Sequence, residues 1–283
     1  MQTLRNLVIN GAENMPISFD IHYQPILGAA PLVIYAHGFN GYKDWGNGDV
    51  LASYFVAQGF TFLKMNFSHN GTSPEKPNEF VDLEAFGRNN FSKQLLDLKL
   101  LLDWLCAERN PLQGFYDVTN INLIGHSMGG GTAILFASED VRITKLITWA
   151  AIAEAKTPWG KWSEAEIAQW KTDGVAYYLN RRTQQQMPLY YQLFEDFQDN
   201  KRRLDILSAA SKIAIPWLIV HGTEDEAVAL AQAEKLKSAN KNAQLITLNT
   251  NHVFGRQEPW AEGTYASVTE DWIAKSIDFL NKG

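Results

Sequence analysis

Cysteine is almost missing from this chain, occurring once, as Cys106, in 283 residues. A lone thiol excludes an intrachain disulfide and a cysteine-built zinc cage, because each needs at least a second sulfur. Cys106 closes the apolar run Leu101-Leu102-Asp103-Trp104-Leu105, which makes it a packing residue rather than a reactive thiol. Long apolar runs are also missing. No stretch approaches the roughly 18 uncharged apolar residues of a membrane span, and Met1 to Asn10 lacks the apolar core and small-residue cleavage site of a secretory signal. A cytoplasmic protein that does not engage a membrane is expected. Basic charge is in deficit: 25 Lys+Arg against 31 Asp+Glu leave a formal charge of -6, which argues against the basic face of a nucleic-acid binder. None of the six histidines falls in a zinc-ligand spacing such as H-E-x-x-H, so no metal is expected.

What is present is ordinary globular material. With 46% hydrophobic and 20% charged residues and only 10 Pro, the chain can bury a large core, and disordered, collagenous or coiled-coil readings are excluded. Leu4 to Asn10 and Ile17 to Tyr23, joined by Gly11-Ala12-Glu13-Asn14, read as an antiparallel hairpin. Leu32-Val33-Ile34-Tyr35-Ala36 is a continuous apolar run of the kind buried on both faces of a sheet. Strand and helix then alternate: a helix over 49–58, a strand over 61–67, a helix over about 90–108, a strand over 121–124, a helix over 130–137 and a strand over 143–151. The alternation breaks between about Ala153 and Ser211, a stretch rich in aromatic and charged residues. There, segments 175–178 and 186–189 around Asn180-Arg181-Arg182-Thr183 read as a hairpin among helices. A strand over 215–220, a helix over 228–239, a strand over 244–248 and an amphipathic helix over 263–281 complete the chain. This order predicts an α/β fold with a mostly parallel sheet covered on both faces.

The informative stretch is Ile121-Asn122-Leu123-Ile124-Gly125-His126-Ser127-Met128-Gly129. It sets G-x-S-x-G between a strand and a helix, where a strained turn lifts the Ser127 hydroxyl clear of the sheet. A serine hydroxyl is a weak nucleophile at neutral pH and needs a base, and the base needs a group to orient it. Asp225 follows the strand ending at Val220, and His252 follows the strand ending near Leu248. Parallel strands end on one edge, so Ser127, Asp225 and His252 can converge in the order Ser, Asp, His. Glu224 and Glu226 stay open as the acid. His37-Gly38-Phe39 follows an early core strand, so the backbone N–H of Phe39 can join that of Met128 as an oxyanion hole. His37, His126 and His221 each adjoin a strand end and are expected to make structural hydrogen bonds; His69 reads as a loop histidine.

These residues together resemble the α/β-hydrolase superfamily, and the likeness covers nearly the whole chain. Within it, His37-Gly38-Phe39-Asn40-Gly41-Tyr42-Lys43-Asp44-Trp45 and Asn66-Phe67-Ser68-His69-Asn70-Gly71 resemble the bacterial esterase-like branch near dienelactone hydrolases, cinnamoyl (feruloyl) esterases and the prolyl oligopeptidase catalytic domain. The resemblance implies cofactor-free hydrolysis of a small-molecule ester or amide through a serine acyl-enzyme. Dienelactone hydrolases proper carry cysteine where this chain has Ser127, and no β-propeller precedes the domain. The expected architecture is one α/β-hydrolase domain over 1–283 with antiparallel N-terminal strands and a cap insertion over 153–211. The aromatics of that insertion could form an acyl or aryl pocket or only its own small core. Ester hydrolysis is the principal expectation; a peptidase or amidase with the same triad, a related lyase, and a catalytically silent binding protein on the same fold are the alternatives.

Overall fold

A computed structural model describes residues 1–25, 28–260, 265 and 267–282. Its centre is an eight-stranded sheet of β1 (Gln2–Asn10), β2 (Pro16–Tyr23), β3 (Ala30–Ala36), β4 (Thr61–Asn66), β5 (Tyr116–His126), β6 (Ile143–Trp149), β9 (Trp217–Gly222) and β10 (Gln244–Leu248). The order across the sheet is β1-β2-β4-β3-β5-β6-β9-β10. β1 pairs antiparallel with β2 and β2 with β4, and every later pairing is parallel.

The two-residue period of the strands divides the interior. Leu32 and Ile34 of β3, Ile121 and Leu123 of β5, and Trp217 and Ile219 of β9 face one core. That core is closed by α3 (Phe91–Leu105), α4 (Met128–Glu139), α7 (Ile206–Lys212) and α8 (Leu230–Ala239). The alternate residues, among them Val33, Ile124, Leu218 and Val220, face the second core beneath α1 (Gly48–Ala57) and α9 (Ser267–Asn281). Because both faces are covered, these strands read as unbroken apolar runs.

Between the sheet neighbours β6 and β9 the chain leaves the sheet. It forms α5 (Glu164–Asp173), the antiparallel hairpin β7 (Val175–Asn180) and β8 (Gln185–Tyr190), and α6 (Gln192–Asp199) before α7 returns it to the core. Trp159, Trp170, Met187, Leu189 and Leu193 give this segment a small core of its own, packed with Tyr42, Phe80 and Phe86 from two sheet-edge loops. Its aromatics are therefore spent mainly on packing.

The expected elements recur with shifted ends. α4 begins at Met128 and runs through Gly129-Gly130-Gly131, three weak helix formers held there by tertiary contacts. β5 extends to 116–126, and the short helix α2 (Leu83–Gly87) falls in a stretch to which the sequence assigned no element. Positions 263, 264 and 266 of the expected terminal helix lie outside the described residues; the helix is described from Ser267. Cys106 caps α3, half-buried against the first core.

Candidate active site

Four loops leave the same sheet edge, after β3, β5, β9 and β10, and each carries a residue singled out by the sequence. Ser127 sits at φ 57°, ψ -119°, a left-handed conformation costing about 1–3 kcal/mol that persists only where the surroundings over-determine it. They do so here: the Ser127 N–H donates to the Trp149 carbonyl at 2.9 Å, and its carbonyl accepts from Gly131 N–H at 3.1 Å. The flanking glycines are required by close approach. A Cβ on Gly125 would lie 2.3 Å from the Gly129 carbonyl oxygen, and one on Gly129 would lie 2.2 Å from that of His37.

The β9 and β10 ends lie side by side, with Gly222 in register with Leu248. Thr223 N–H donates to the Leu248 carbonyl at 2.8 Å, stitching the two loops together. Asp225 Oδ1 accepts from the N–H groups of Ala227 (3.0 Å) and Val228 (2.8 Å), which leaves Oδ2 to accept from His252 Nδ1 at 2.8 Å. Among the three adjacent acids it is Asp225 that meets the histidine. Burial pushes the Asp225 carboxyl up, but hydrogen bonds from His221 and His252 and the nearby His252 charge outweigh it and hold Asp225 well below the usual carboxylate range. An ionised Asp225 can only accept, so Nδ1 carries the imidazole proton and Nε2 is the free basic nitrogen.

Two further histidines brace this arrangement. The His126 ring packs against that of His252 at a tilt of 47° with centroids 4.8 Å apart, and its Nε2–H donates to the His252 carbonyl at 2.9 Å. Burial and the neighbouring His252 and Arg256 keep the His126 pKa well below the ordinary value, so it stays a neutral donor. His221 Nε2 donates to the Val228 carbonyl at 2.8 Å and lies 3.3 Å from Asp225 Oδ2. On the β3 loop, buried His37, its pKa lowered to about 4 by burial, donates from Nδ1 to the Gly38 carbonyl at 2.9 Å. His69 lies away from these loops, between the Ser68 hydroxyl (2.7 Å) and Glu13 (3.2 Å).

Phe39, Ser127 and His252 line the same cavities at this edge. Met128 is the first residue of α4, and its N–H is one of the donors a helix start leaves without an internal acceptor. Among the described residues the Ser127 hydroxyl makes no hydrogen bond, to His252 or otherwise; serine–histidine contacts of this kind are often long in the absence of substrate. The hairpin stands over Phe39: Tyr178 meets its ring edge-on at 5.5 Å, and Asn180 Nδ2 donates to Asn40 Oδ1 at 3.0 Å.

Residues 29–189, more than half of the chain, match the family described as serine aminopeptidase, S33. The chain belongs to that family. Solved structures agree on the α/β-hydrolase fold. Est1E from Butyrivibrio proteoclasticus, bound to ferulic acid, superposes with a TM-score of 0.73 at 19% identity over 97% of each chain. The α/β hydrolase GrgF from Penicillium sp. sh18 gives 0.68 at 17% identity, covering 100% of this chain and 99% of its own. An esterase of Pyrococcus furiosus gives 0.62 at 18% identity, covering 99% and 91%. No curated protein matches by sequence. Among the described residues no helix is long and apolar enough to cross a membrane.

Sequence reasoning passed over a buried ion cluster behind the β3 loop, formed by Asp20, Lys43, Asp44, Asp49 and Lys64. A signal was present: Lys64 sits mid-strand in Thr61-Phe62-Leu63-Lys64-Met65, where every neighbour is apolar or β-branched.

Proposed function

We propose that this family member is a serine hydrolase that cleaves carboxylic esters of small molecules. Ser127 Oγ attacks the carbonyl carbon while His252 Nε2 takes its proton, and the N–H groups of Phe39 and Met128 receive the oxyanion. The tetrahedral intermediate collapses, the ester C–O bond breaks, and His252 returns the proton to the departing alcohol. Water, deprotonated by the same nitrogen, attacks the acyl carbon and frees the acid and Ser127. Asp225 holds the imidazole in the one tautomer that permits both transfers. The observation that carries this reading is the 2.8 Å hydrogen bond from His252 Nδ1 to Asp225, which leaves Nε2 unprotonated beside the cavities that Ser127 lines. The esterase names among the structural neighbours favour esters; the family description favours a peptide or amide as the second reading. Within one domain over 1–283, the insertion at 153–211 serves as a cap over the nucleophile, supported by its contacts with Phe39 and Asn40.

Labelling with a fluorophosphonate, read by intact mass, tests the nucleophile. One adduct on the wild type and none on Ser127→Ala is expected, with ester turnover falling about 10³-fold or more in the variant. Paired p-nitrophenyl esters and p-nitroanilides then separate ester from amide chemistry. A folded wild type that takes no adduct and turns over neither would refute the hydrolase and leave a binding protein on this fold.

A further inference from the structure

Ser127 lies between two unequal cavities. One, of about 170 Å³, is walled by Tyr35, His37, Trp45, His126 and Val253 on the side of the second core. The other, of about 540 Å³, opens beneath the hairpin between Ile152, Lys161, Tyr178 and Gln232. Phe39, Ser127 and His252 border both. A carbonyl poised over Ser127 sends its acyl part to one side and its alcohol part to the other, so each cavity receives one half of the substrate. A dry cavity of about 150 Å³ takes a benzene molecule, which sets the scale of the smaller one at a single ring or a chain of about six heavy atoms.

Most walls of the small cavity are immobile. Tyr35 belongs to central strand β3, and His37 and His126 are buried and hydrogen-bonded. Trp45 is different: it is half-buried, lies on the β3 loop, and lines the cavity. Its position is set by its two predecessors. The Lys43 N–H donates to Asn66 Oδ1 at 2.6 Å, and Lys43 Nζ, on a side chain 2% exposed, reaches Asp20 at 2.6 Å and Asp44 at 2.7 Å. Lys64, fully buried and in direct register with Asp20 across β2 and β4, bonds Asp44 and Asp49 as well. Arg5 completes the set at 2.5 Å from Asp49, so three cations face three carboxylates. The atoms of Asp20, His22 and Asp49 lie within 4.8 Å of one another, a spacing that would admit a metal ion, but the Lys64 ammonium already contacts both carboxylates. Lys43 and Asp20 are both buried, so leaving either without its partner is costly, which makes the loop anchor stiff. From the other side the Arg256 guanidinium lies 5.3 Å from the centre of the Trp45 ring.

We propose that Trp45, locked by the Asp20–Lys43–Asp44–Lys64 cluster, sets the size limit for one half of the substrate, restricting it to a single ring or a short chain. This rests on the hydrolase reading above. The small cavity makes the enzyme selective for esters with one compact half, while the larger cleft accepts a bulky partner. Lys43 and Asp20 act as positioning residues, through Trp45.

The test is two homologous ester series assayed on the wild type, p-nitrophenyl acetate to decanoate and methyl to decyl acetate, the second followed by acid release. In one series kcat/KM should drop about tenfold or more beyond a group of about six heavy atoms, since each misfit methylene changes kcat/KM by about 10–200-fold, and the other series should show no such break. Trp45→Ala, and Trp45→Leu should the former fold poorly, should move the break to longer groups. The paired Lys43→Met/Asp20→Asn variant, which removes one cation with one anion, should move it the same way, a shift that mere loss of stability would not produce. Labelling by ethyl and decyl fluorophosphonates runs in parallel. Labelling and turnover with no break in either series, or a break that Trp45→Ala leaves in place, would overturn this proposal alone. No labelling and no turnover would overturn the hydrolase reading and this one with it.

Discussion

Asp225→Asn tests the histidine tautomer directly. The native carboxylate uses Oδ1 for two backbone donors, Ala227 N–H and Val228 N–H, and Oδ2 for His252 Nδ1. An asparagine has one oxygen and one NH₂, so one side must change. Turning the NH₂ toward the backbone would set donors against two donors and forfeit two hydrogen bonds, each worth about 0.5–1.5 kcal/mol plus the desolvation of buried N–H groups. Turning it toward His252 loses one bond and lets the imidazole answer by moving its proton to Nε2. The second arrangement wins, and on the proposed mechanism it disables the base, because Nε2–H could not accept the Ser127 proton. Loss of this orientation in Ser-His-Asp triads lowers kcat by about 10⁴-fold, about 5 kcal/mol of transition-state stabilisation. Because Oδ1 keeps both loop bonds, unfolding stability should fall by only about 1 kcal/mol. The assay is kcat on p-nitrophenyl acetate beside urea unfolding of the same preparation. A folded Asp225→Asn protein retaining kcat within about tenfold of wild type would refute the assignment of Asp225 as the orienting acid.

Other positions give independent checks. Gly129→Ala places a methyl 2.2 Å from the His37 carbonyl oxygen, so the loop carrying Phe39 must shift; a stability loss of about 1–3 kcal/mol with a sharp drop in kcat is expected, and unchanged kinetics would contradict the close approach. His126→Phe removes the 2.9 Å hydrogen bond to the His252 carbonyl while keeping a ring beneath it, and should lower kcat more than it raises KM; an equal effect on both would show that His126 does not position His252. Asp97, buried against the N–H groups of Ala12 and Ser68, has its carboxyl pushed up to about 6 by burial. A raised folded-state value means that its contribution to stability is whole below the ordinary 3.8 and is lost as pH rises through about 6, about 3 kcal/mol in all. Urea unfolding at pH 4 and pH 7 should therefore show the wild type losing about 2 kcal/mol relative to Asp97→Asn, whose side chain stands in for the uncharged acid, since part of the contribution is already gone at pH 4. A difference that is the same at both pH values would sink this account.

Much of this molecule was legible because its information is local or periodic. The continuous apolar runs of β3 and β9 announce strands buried on two faces, and the helical spacing between the strands announces the parallel crossover. The hairpin of the insertion showed in two short runs around Asn180 to Thr183. Gly125-His126-Ser127-Met128-Gly129 declares a tight strand-to-helix turn from five residues alone, and the chain order of Ser127, Asp225 and His252 narrows the companion residues. What the linear order could not contain were contacts between segments far apart in the chain. It favoured Asp225 but left Glu224 and Glu226 open, and only the stitching of the β9 loop to the β10 loop puts Asp225 on His252. It set the start of this helix at Gly130, whereas the fold starts it at Met128 and packs Gly129 against the His37 carbonyl, a contact between distant segments. Lys64 stands mid-strand among apolar neighbours, and only the fold sets Asp20 opposite it and brings Asp44 and Asp49 to it from the loop and from α1. The two cavities beside Ser127 belong to no segment at all; they are the space left between loops, which exists only once the sheet has brought its strand ends to one edge.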